Sequence, residues 1–393
     1  THDLGHGIAG GLEKKGQEYM KTLFADMGAD SIVEDQMEEA VIQECLRKYN
    51  EGNLGHNYDG RYNVYATFKG NGGRSIMFNS HIDTMPAGNE ADWKTPPHEP
   101  TIKDGRLYGL GSADMKAGLL ASTLAVKLLK DAGYELPGDV TITSVCDEEG
   151  GGNGSMQAAM HGIRADGVVN CEGTSGELIL AHMGFVFFRV EYEGKANHSG
   201  AKWLGVSAIE KAMKVINALS EMEHTWLLTY RHPLLPAPNL NIGVIHGGTA
   251  GSTVAGDCYF ETYLPRQMSY DMVVKEFTDT VMGVAAYDPW MKDHPPKITM
   301  YQAGGAFEMD TEHMFVNAFR EAFRHSKGIP VRTVGSPAGC DSRIWRNIAG
   351  CPTIQFGPGN LEQCHSPNEY VELDAYLDCI LIYARLILTW AQK

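Results

Sequence analysis

The sequence lacks any long hydrophobic run. Its longest apolar stretches, such as Val186–Phe188 and Ile380–Ile382, are far shorter than the roughly 18 residues that cross a bilayer. It also lacks the positively charged, apolar start of a secretory signal peptide. We therefore expect no membrane partner and no export.

Positive charge is scarce as well. The 393 residues include 33 Lys and Arg against 49 Asp and Glu, for a formal net charge of −16. A surface this acidic repels phosphate backbones, so nucleic acid is not an expected partner. An anionic small substrate is not excluded, because a pocket can be locally positive. The length suits two domains or one large domain with an insertion.

Paired cysteine motifs are absent too. The spacing excludes a zinc ribbon and, in a chain this long, indicates reduced thiols in the cytoplasm rather than a disulfide framework. The eight cysteines are Cys45, Cys146, Cys171, Cys258, Cys340, Cys351, Cys364 and Cys379.

Hydrophobic periodicity predicts an α/β fold. The first ~60 residues are interpreted as helical, since Met20, Leu23, Phe24 and Met27 share one helical face. Leucines repeat every four residues from Leu120, which predicts a further helix. Strands alternating with helices favour a mixed, mainly parallel sheet. The predicted strands are SIMFNS (75–80), VTITSV (140–145), GVVN (167–170) and PTIQF (352–356).

The middle of the chain follows another pattern. Runs at 185–192, 239–244 and 258–264 predict strands, while 207–219 and 270–284 have helical periodicity. This β-α-β-β-α order, closed by a possible strand at 297–301, is typical of a ferredoxin-like α+β unit. We therefore expect an inserted lid and dimerisation domain at 185–304, within a catalytic domain formed by 1–184 and 305–393.

Metal-capable side chains follow the predicted parallel strands. Ligands of open α/β sheets bind outside the carboxyl ends of the strands, so these side chains are expected to converge. In chain order they are His81 and Asp83, Glu148 and Glu149, Glu172, and His365, and Asp114 directly precedes the leucine-periodic helix.

Each of these residues also has an ordinary explanation. Asp114 stands where a helix N-cap would stand, and Glu148-Glu149 could be an exposed acidic turn. Neighbouring side chains of an extended chain point apart, so Cys364 and His365 are disfavoured as a nucleophile pair.

Together the residues predict a two-metal site. Two histidines and three carboxylates suit two Zn²⁺-like ions with one bridging carboxylate. Glu148 adjoins a predicted ligand and fits the general acid/base, while Asp83 fits an acceptor that orients His81. The predicted ligands are His81, Asp114, Glu149, Glu172 and His365.

Seven ordered stretches strengthen this prediction. They are FNSHIDTMPAG, LYGLGSADMKAG, VCDEEGGG, NCEGT, KANHSG, GCDSR and FGPGNLEQCHSPNEYV. In these stretches the chain resembles the M20-type metallopeptidase and deacylase family, which includes acetylornithine deacetylase and succinyl-diaminopimelate desuccinylase. The stretch AYDPWMKDHPP resembles the branch with acetylornithine deacetylase-like and formylpyrimidine deformylase-like members.

The resemblance implies a role for each site residue. His81, Asp114 and Glu172 would hold one metal, and Asp114, Glu149 and His365 the other, with Asp114 bridging and followed by a cis peptide. Asp83 would orient His81, and Glu148 would be the general acid/base. Zn²⁺ is the expected ion at both positions, with Co²⁺ or Mn²⁺ as alternatives.

Two further residues are implicated only by the resemblance. His198 would reach across a homodimer interface and stabilise the oxyanion, and Arg343 would clamp a substrate carboxylate. On residue chemistry alone, His198 is equally a surface histidine and Arg343 equally a salt-bridge partner of Asp341. The sequence also departs from the family, with Ser252 near the place of a usual Asn and Arg266 out of register, which leaves the lid's substrate contacts open.

The predicted function is metal-dependent amide hydrolysis by a cytoplasmic homodimer. Its substrate would be an N-acyl amino acid or a related small carboxylate-bearing amide, as in a deacetylase, deformylase or desuccinylase. A dipeptidase or carboxypeptidase would use the same site and is the main alternative. A non-catalytic metal-binding dimer is disfavoured because every ligand and Glu148 are present.

Overall fold

The computed structural model describes residues 12–266 and 270–391, which form two compact units. The first unit contains the described residues up to His182, then Phe307–Ser336 and those from Cys340 onwards. The second contains Met183–Ala306 and Pro337–Gly339. The return segment Pro337–Gly339 has no counterpart in the insert expected from the sequence.

Helices and strands alternate through the described ranges. The α-helices are α1 (Lys14–Asp26), α2 (Glu39–Tyr49), α3 (Ala117–Asp131), α4 (Asn153–Met160), α5 (Ala208–Thr229), α6 (Tyr270–Tyr287), α7 (Met314–Lys327), α8 (Ser342–Asn347) and α9 (Leu373–Trp390). The strands are β1 (Ser31–Gln36), β2 (Tyr62–Phe68), β3 (Gly73–His81), β4 (Thr101–Lys103), β5 (Arg106–Tyr108), β6 (Gly138–Val145), β7 (Val168–Asn170), β8 (Leu178–His182), β9 (Gly184–Glu193), β10 (Asn197–His198), β11 (Asn241–Gly247), β12 (Thr253–Val254), β13 (Asp257–Arg266), β14 (Lys297–Gly304), β15 (Phe307–Glu308), β16 (Thr333–Ser336), β17 (Thr353–Gln355) and β18 (Tyr370–Glu372).

The central sheet of the first unit has a parallel core. Its order is β1-β2-β6-β3-β7-β17-β8-β15, with β16 also paired to β8. Strands β6, β3, β7 and β17 are mutually parallel neighbours, whereas β1, β2 and β15 add antiparallel edges. This confirms the predicted mixed, mainly parallel sheet, and it places the ends of the four predicted strands side by side.

Helices cover both faces of this sheet. On β3, Met77 packs into a core cluster with α2, α4 and α8, while the adjacent Phe78 contacts Tyr383 of α9 with ring centroids 4.8 Å apart. Burial on both faces favours apolar and β-branched residues, and short runs of these residues predicted the strands from the sequence.

The second unit is built on a four-stranded antiparallel sheet. Its order is β11-β13-β9-β14, and α5 and α6 pack against it. Along β9 the burial alternates, with Val186, Phe188 and Val190 in the core and the residues between them partly exposed. Phe188 stacks on Phe277 of α6 with ring centroids 4.3 Å apart. The main elements follow the predicted β-α-β-β-α-β order.

The all-helical prediction for the first ~60 residues is wrong in part. Helices α1 and α2 are present, but β1 lies between them and pairs antiparallel with β2. Its sequence, SIVEDQ, is short and only Ile32 and Asp35 are even partly buried. A six-residue edge strand with one half-exposed face gives little periodic signal, and pairing with β2 decides its conformation.

Two compositional features can be followed in the structure. In residues 12–266 and 270–391, no helix is long and apolar enough to span a bilayer. All eight cysteines are unpaired thiols.

A buried carboxylate joins the two helices of the second unit. Asp288 follows α6 and is only 3% exposed. It accepts hydrogen bonds from Lys211 Nζ at 2.8 Å and Lys214 Nζ at 2.7 Å, and from the backbone amides of Trp290 and Met291. Burial would raise the pKa of Asp288, but these donors outweigh burial and hold the pKa below its usual range.

Replacing this charge should destabilise the protein. We expect Asp288→Asn to lower the free energy of unfolding by about 1–3 kcal/mol at pH 7, because two lysines lose a buried partner. A lowered pKa contributes stability above the unfolded pKa that is lost as pH falls, so the difference should shrink below about pH 4. Urea unfolding at pH 7 and pH 3.5 measures this. The exposed neighbour Asp293→Asn is the control, and equal stability of the two variants at pH 7 would contradict the expectation.

Candidate metal centre

The imidazole of His81 stands at the carboxyl end of β3. Its Nδ1 lies 3.0 Å from the carbonyl oxygen of Asp83, so Nδ1 must carry a hydrogen and donate it. The other nitrogen, Nε2, faces two carboxylates, with Asp114 Oδ1 at 3.0 Å and Glu172 Oε1 at 3.8 Å. A bond that fixes Nδ1–H aims Nε2 as a metal ligand.

The carboxylate of Asp114 lies between the two histidines. Asp114 belongs to a tight turn just before α3, and the peptide that follows it is cis, as the sequence resemblance implies. Its Oδ1 faces His81, whereas its Oδ2 lies 3.4 Å from His365 Nε2. Two oxygens that face two different imidazoles are arranged as a bridging ligand requires.

The remaining predicted ligands come from three loops. Glu149 Oε2 lies 2.9 Å from His365 Nε2, and its Oε1 accepts a hydrogen bond from the Met85 backbone amide. Glu172 follows β7 by two residues and is buried. His365 comes from the loop after β17 with its side chain half exposed. The structure therefore brings all five predicted ligands together.

The spacing of these atoms fits divalent ions. Two ligands about 2.0–2.1 Å from a tetrahedral Zn²⁺ lie roughly 3.3 Å apart, close to the 2.9–3.8 Å separations found here. Among the described residues, two groups of three have ligand atoms within 4.8 Å of one another, namely His81, Asp114 and Glu149, and His81, Glu148 and Glu172. The donor set of imidazole and carboxylate suits Zn²⁺, Co²⁺ or Mn²⁺.

Asp83 connects His81 to the acidic turn. Its carboxylate accepts hydrogen bonds from the backbone amides of Glu148, at 3.3 Å, and Glu149, at 3.1 Å. The same carboxylate lies 3.5 Å from His81 Nδ1. Asp83 thus orients the acidic turn as well as the imidazole, which sequence reasoning did not anticipate.

Burial and neighbouring charges shift the pKa values of the side chains in the cluster. Burial raises the pKa of Glu148, and the charge of Asp341 raises it further. Burial likewise raises the pKa of Glu172 and of Glu149. Hydrogen bonding to Asp114 and Glu149 raises the pKa of His365 to about 10. For His81, burial is outweighed by Asp114 and Asp83, and its pKa is raised well above the usual value.

His198 lies in the second unit. It ends β10, is exposed, and its Nδ1 accepts a hydrogen bond from the Gly200 backbone amide at 3.1 Å. When Nδ1 accepts, the hydrogen of a neutral imidazole resides on Nε2. The ring is therefore set to donate from Nε2. Ser252, in the opposing strand region, accepts a hydrogen bond from the Ser199 amide through its carbonyl, and the side chain of Arg266 lies outside the described residues.

Arg343 is buried beside the acidic cluster. It is 2% exposed, its Nε lies 3.1 Å from Glu51 Oε2, and the charges of both Glu51 and Asp341 act on it. Its Nη1 and Nη2 donate to the carbonyls of Cys340 and Gly151, each at 2.7 Å. These contacts join the Arg343 side chain to the rest of the first unit, and the predicted substrate clamp stays a prediction.

Two contributors to the site were missed from the sequence. Glu369 accepts hydrogen bonds from the turn that carries Asp114. Asp147, next to Glu148, is held by Arg61, His56 and Asn153. Glu369 stands in the recognisable stretch HSPNEYV, so its place in that motif was the available signal. The partners of Asp147 are up to 91 residues away, and no local pattern marks them.

Comparison with known proteins places this geometry in a family. The model of "Peptidase family M20/M25/M40" matches residues 77–389. The chain is 34% identical over 383 residues to N-formyl-4-amino-5-aminomethyl-2-methylpyrimidine deformylase of Halalkalibacterium halodurans, covering 89% of this chain and 88% of that protein. It is 30% identical over 351 residues to acetylornithine deacetylase of Vibrio vulnificus, covering 86% of this chain and 88% of the relative.

Solved structures share the fold. A tripeptidase from Staphylococcus aureus aligns with a TM-score of 0.75, covering 98% of this chain and 95% of that one. The sequence identity is 21%, so the likeness concerns the architecture alone.

Metal binding should release protons. The pKa values of both histidines are raised, which favours the protonated imidazole in the metal-free protein, whereas a metal binds only the neutral imidazole. We expect Zn²⁺ addition to the chelator-treated protein to release about two or more protons per chain at pH 7, and fewer as the pH approaches 10. Calorimetry in buffers with different ionisation enthalpies measures the number.

Two variants calibrate this measurement. His365→Gln should release about one proton fewer, since one ligand no longer has to be deprotonated. The exposed His224→Gln should match the wild type. If the heat of Zn²⁺ binding to the wild-type protein is the same in buffers with different ionisation enthalpies, the assignment of both histidines as ligands is contradicted.

Proposed function

The chain belongs to peptidase family M20/M25/M40 and is an amide-bond hydrolase, and we propose that it removes a small acyl group from the nitrogen of an N-acyl amino acid or a related small carboxylate-bearing amide. The two curated relatives are named as a deformylase and a deacetylase, which supports formyl and acetyl as the first acyl groups to test. The observation that carries the proposal is the placement of Glu148 within the cluster of His81 and Glu172.

The proposed centre holds two divalent ions, with Zn²⁺ the leading candidate. His81, Asp114 and Glu172 would hold one ion, and Asp114, Glu149 and His365 the other. When bound, such a pair lowers the pKa of water and polarises an amide carbonyl. Family membership supports metal dependence, and the two oxygens of Asp114, which face different imidazoles, support a shared ligand.

Glu148 is the proposed general acid/base. It takes a proton from the water that attacks the amide carbon and delivers that proton to the nitrogen that leaves. A base works best when its pKa lies near the working pH, and burial with the charge of Asp341 raises the pKa of Glu148 in that direction. Asp83 supports this role by holding the Glu148 backbone amide.

His198 of a second copy is the proposed oxyanion donor. Its Nδ1 accepts from Gly200, so Nε2–H can donate to an oxygen that gains negative charge. A homodimer is supported by the surface of the second unit, where the edge strand β11 is mostly exposed. The same unit exposes large apolar side chains that a second copy could cover, namely Trp203, Leu204, Met213, Leu228 and Ile245.

A substrate panel tests the function. We expect the Zn²⁺-loaded protein to hydrolyse N-formyl or N-acetyl amino acids faster than N-succinyl amino acids or dipeptides, and to lose activity on chelation. Glu148→Gln should bind metal normally yet lose roughly 10²–10⁴-fold or more in rate, because no group relays the proton. Glu321→Gln, an exposed substitution on α7, is the matched control.

Each alternative outcome of the substrate panel removes a different part of the proposal. Preferential cleavage of dipeptides would replace the acyl-amide proposal with the peptidase alternative. Activity retained in Glu148→Gln would remove Glu148 from its role. If the protein binds stoichiometric metal but cleaves no amide of the panel, it is a metal-binding protein that does not hydrolyse these amides.

Mixing two inactive variants tests the contribution of the second copy. His198→Ala lacks the donor and Glu148→Gln lacks the base, so a mixed dimer rebuilds one complete site out of two. Random exchange makes half of all dimers mixed, so we expect about a quarter of wild-type activity to return. Exchange is verified with two different affinity tags. No recovery with exchange verified would mean that His198 does not act across subunits.

A further inference from the structure

The carboxylate of Glu369 is buried behind the turn that carries Asp114. Glu369 is 2% exposed, yet it lies beside an already acidic cluster. Its Oε2 accepts a hydrogen bond from the Gly111 backbone amide at 2.8 Å. Its Oε1 accepts from the amides of Ala113, at 2.7 Å, and Asp114, at 3.0 Å. Three amides of one turn therefore converge on a single side chain.

Glu369 is not itself a candidate metal ligand. Both of its oxygens are engaged by backbone amides, and neither of the metal-capable groups found among the described residues includes it. A concave row of backbone amides is a general anion site, and here the chain supplies the anion itself. The side chain thus acts on the turn and reaches the metal position only through Asp114.

The same segment also carries His365. Glu369 lies four residues after His365 and directly precedes β18, which pairs antiparallel with β5 just before the turn. The Glu369 carbonyl accepts a further hydrogen bond from the Gly109 amide. Backbone pairing and the side-chain clamp together tie the chain that bears His365 to the turn that bears Asp114.

We propose that Glu369 is a positioning residue that sets the place of the bridging Asp114, and thereby the affinity of both metal positions. This inference rests on the proposed two-metal site. Asp114 would serve both ions, so a turn that moves loosens both at once. Glu148, held instead through Asp83, is left in place, and catalysis at saturating metal should change little.

Glu369→Gln tests the proposal because it keeps the shape and removes one acceptor. The amide group presents one oxygen and one NH₂, so it cannot accept from both sides of the turn. We expect the dissociation constant for Co²⁺ to rise about 10–100-fold, which is the usual effect of losing a group that supports a ligand. The visible absorption of the bound Co²⁺ should also change, because its geometry depends on Asp114.

The matched control is Glu372→Gln. Glu372 lies three residues further on in β18, is exposed, and pairs with Arg106 across the same ladder. Glu372→Gln removes an equal charge from the same segment of the chain, and Glu372 does not contact the turn that carries Asp114. We expect its Co²⁺ titration and absorption to match the wild type.

The outcomes separate the inference from the function on which it rests. If the wild-type protein binds no Co²⁺, the two-metal site itself fails. If the wild type binds and Glu369→Gln gives the same titration and spectrum, the positioning role is overturned, even when the melting temperature of the metal-free variant falls. Should Glu369→Gln not fold, Glu369→Asp keeps the charge on a shorter side chain, and a wild-type titration in that variant overturns the proposal equally.

Discussion

Mutual repulsion among carboxylates is the constraint around which the first unit is arranged. Asp83, Asp114, Glu148, Glu149 and Glu172 crowd around two imidazoles, and Glu369 adds a sixth carboxylate behind them. Part of the cost is offset by backbone amides, two donating to Asp83 and three to Glu369. Burial, together with the charges of neighbouring carboxylates, raises the pKa of Glu148 and of Glu172. Two divalent cations would complete the compensation, since an isolated buried carboxylate is otherwise unfavourable.

Close backbone packing sets the distances that this cluster needs. Helix α3 begins three residues after Asp114, and a methyl group on its Gly118 would lie 2.1 Å from the Cys171 carbonyl oxygen. A methyl group on Gly357, which follows β17, would lie 2.2 Å from the same oxygen. Neither contact admits a side chain, so the helix and the loop meet the chain directly at the residue before Glu172. Glu172, the proposed ligand that follows β7, is thereby held at a fixed distance from the turn of Asp114.

The sequence predicts those features that repeat or cluster locally. Strands β3, β6, β7 and β17 were recognisable as short runs of apolar and β-branched residues, and their shared edge follows from parallel pairing. Family membership is confirmed by the comparisons, while the ligand roles stay predictions supported by geometry. Contacts between distant segments leave no such signal, and Arg343 shows the limit. Its motif implies a substrate clamp, but its partner Glu51 is 292 residues away and only the fold reveals the pair.

The proposed metal ligands and the proposed oxyanion donor belong to different units of the chain. The five proposed ligands and Glu148 belong to the first unit, where packing on both faces of the sheet fixes the strand ends. His198 and Ser252 belong to the second unit and are both exposed. Under the proposed function, a change in that exposed region alters which amide is accepted, while the proposed ligands of the first unit stay in place.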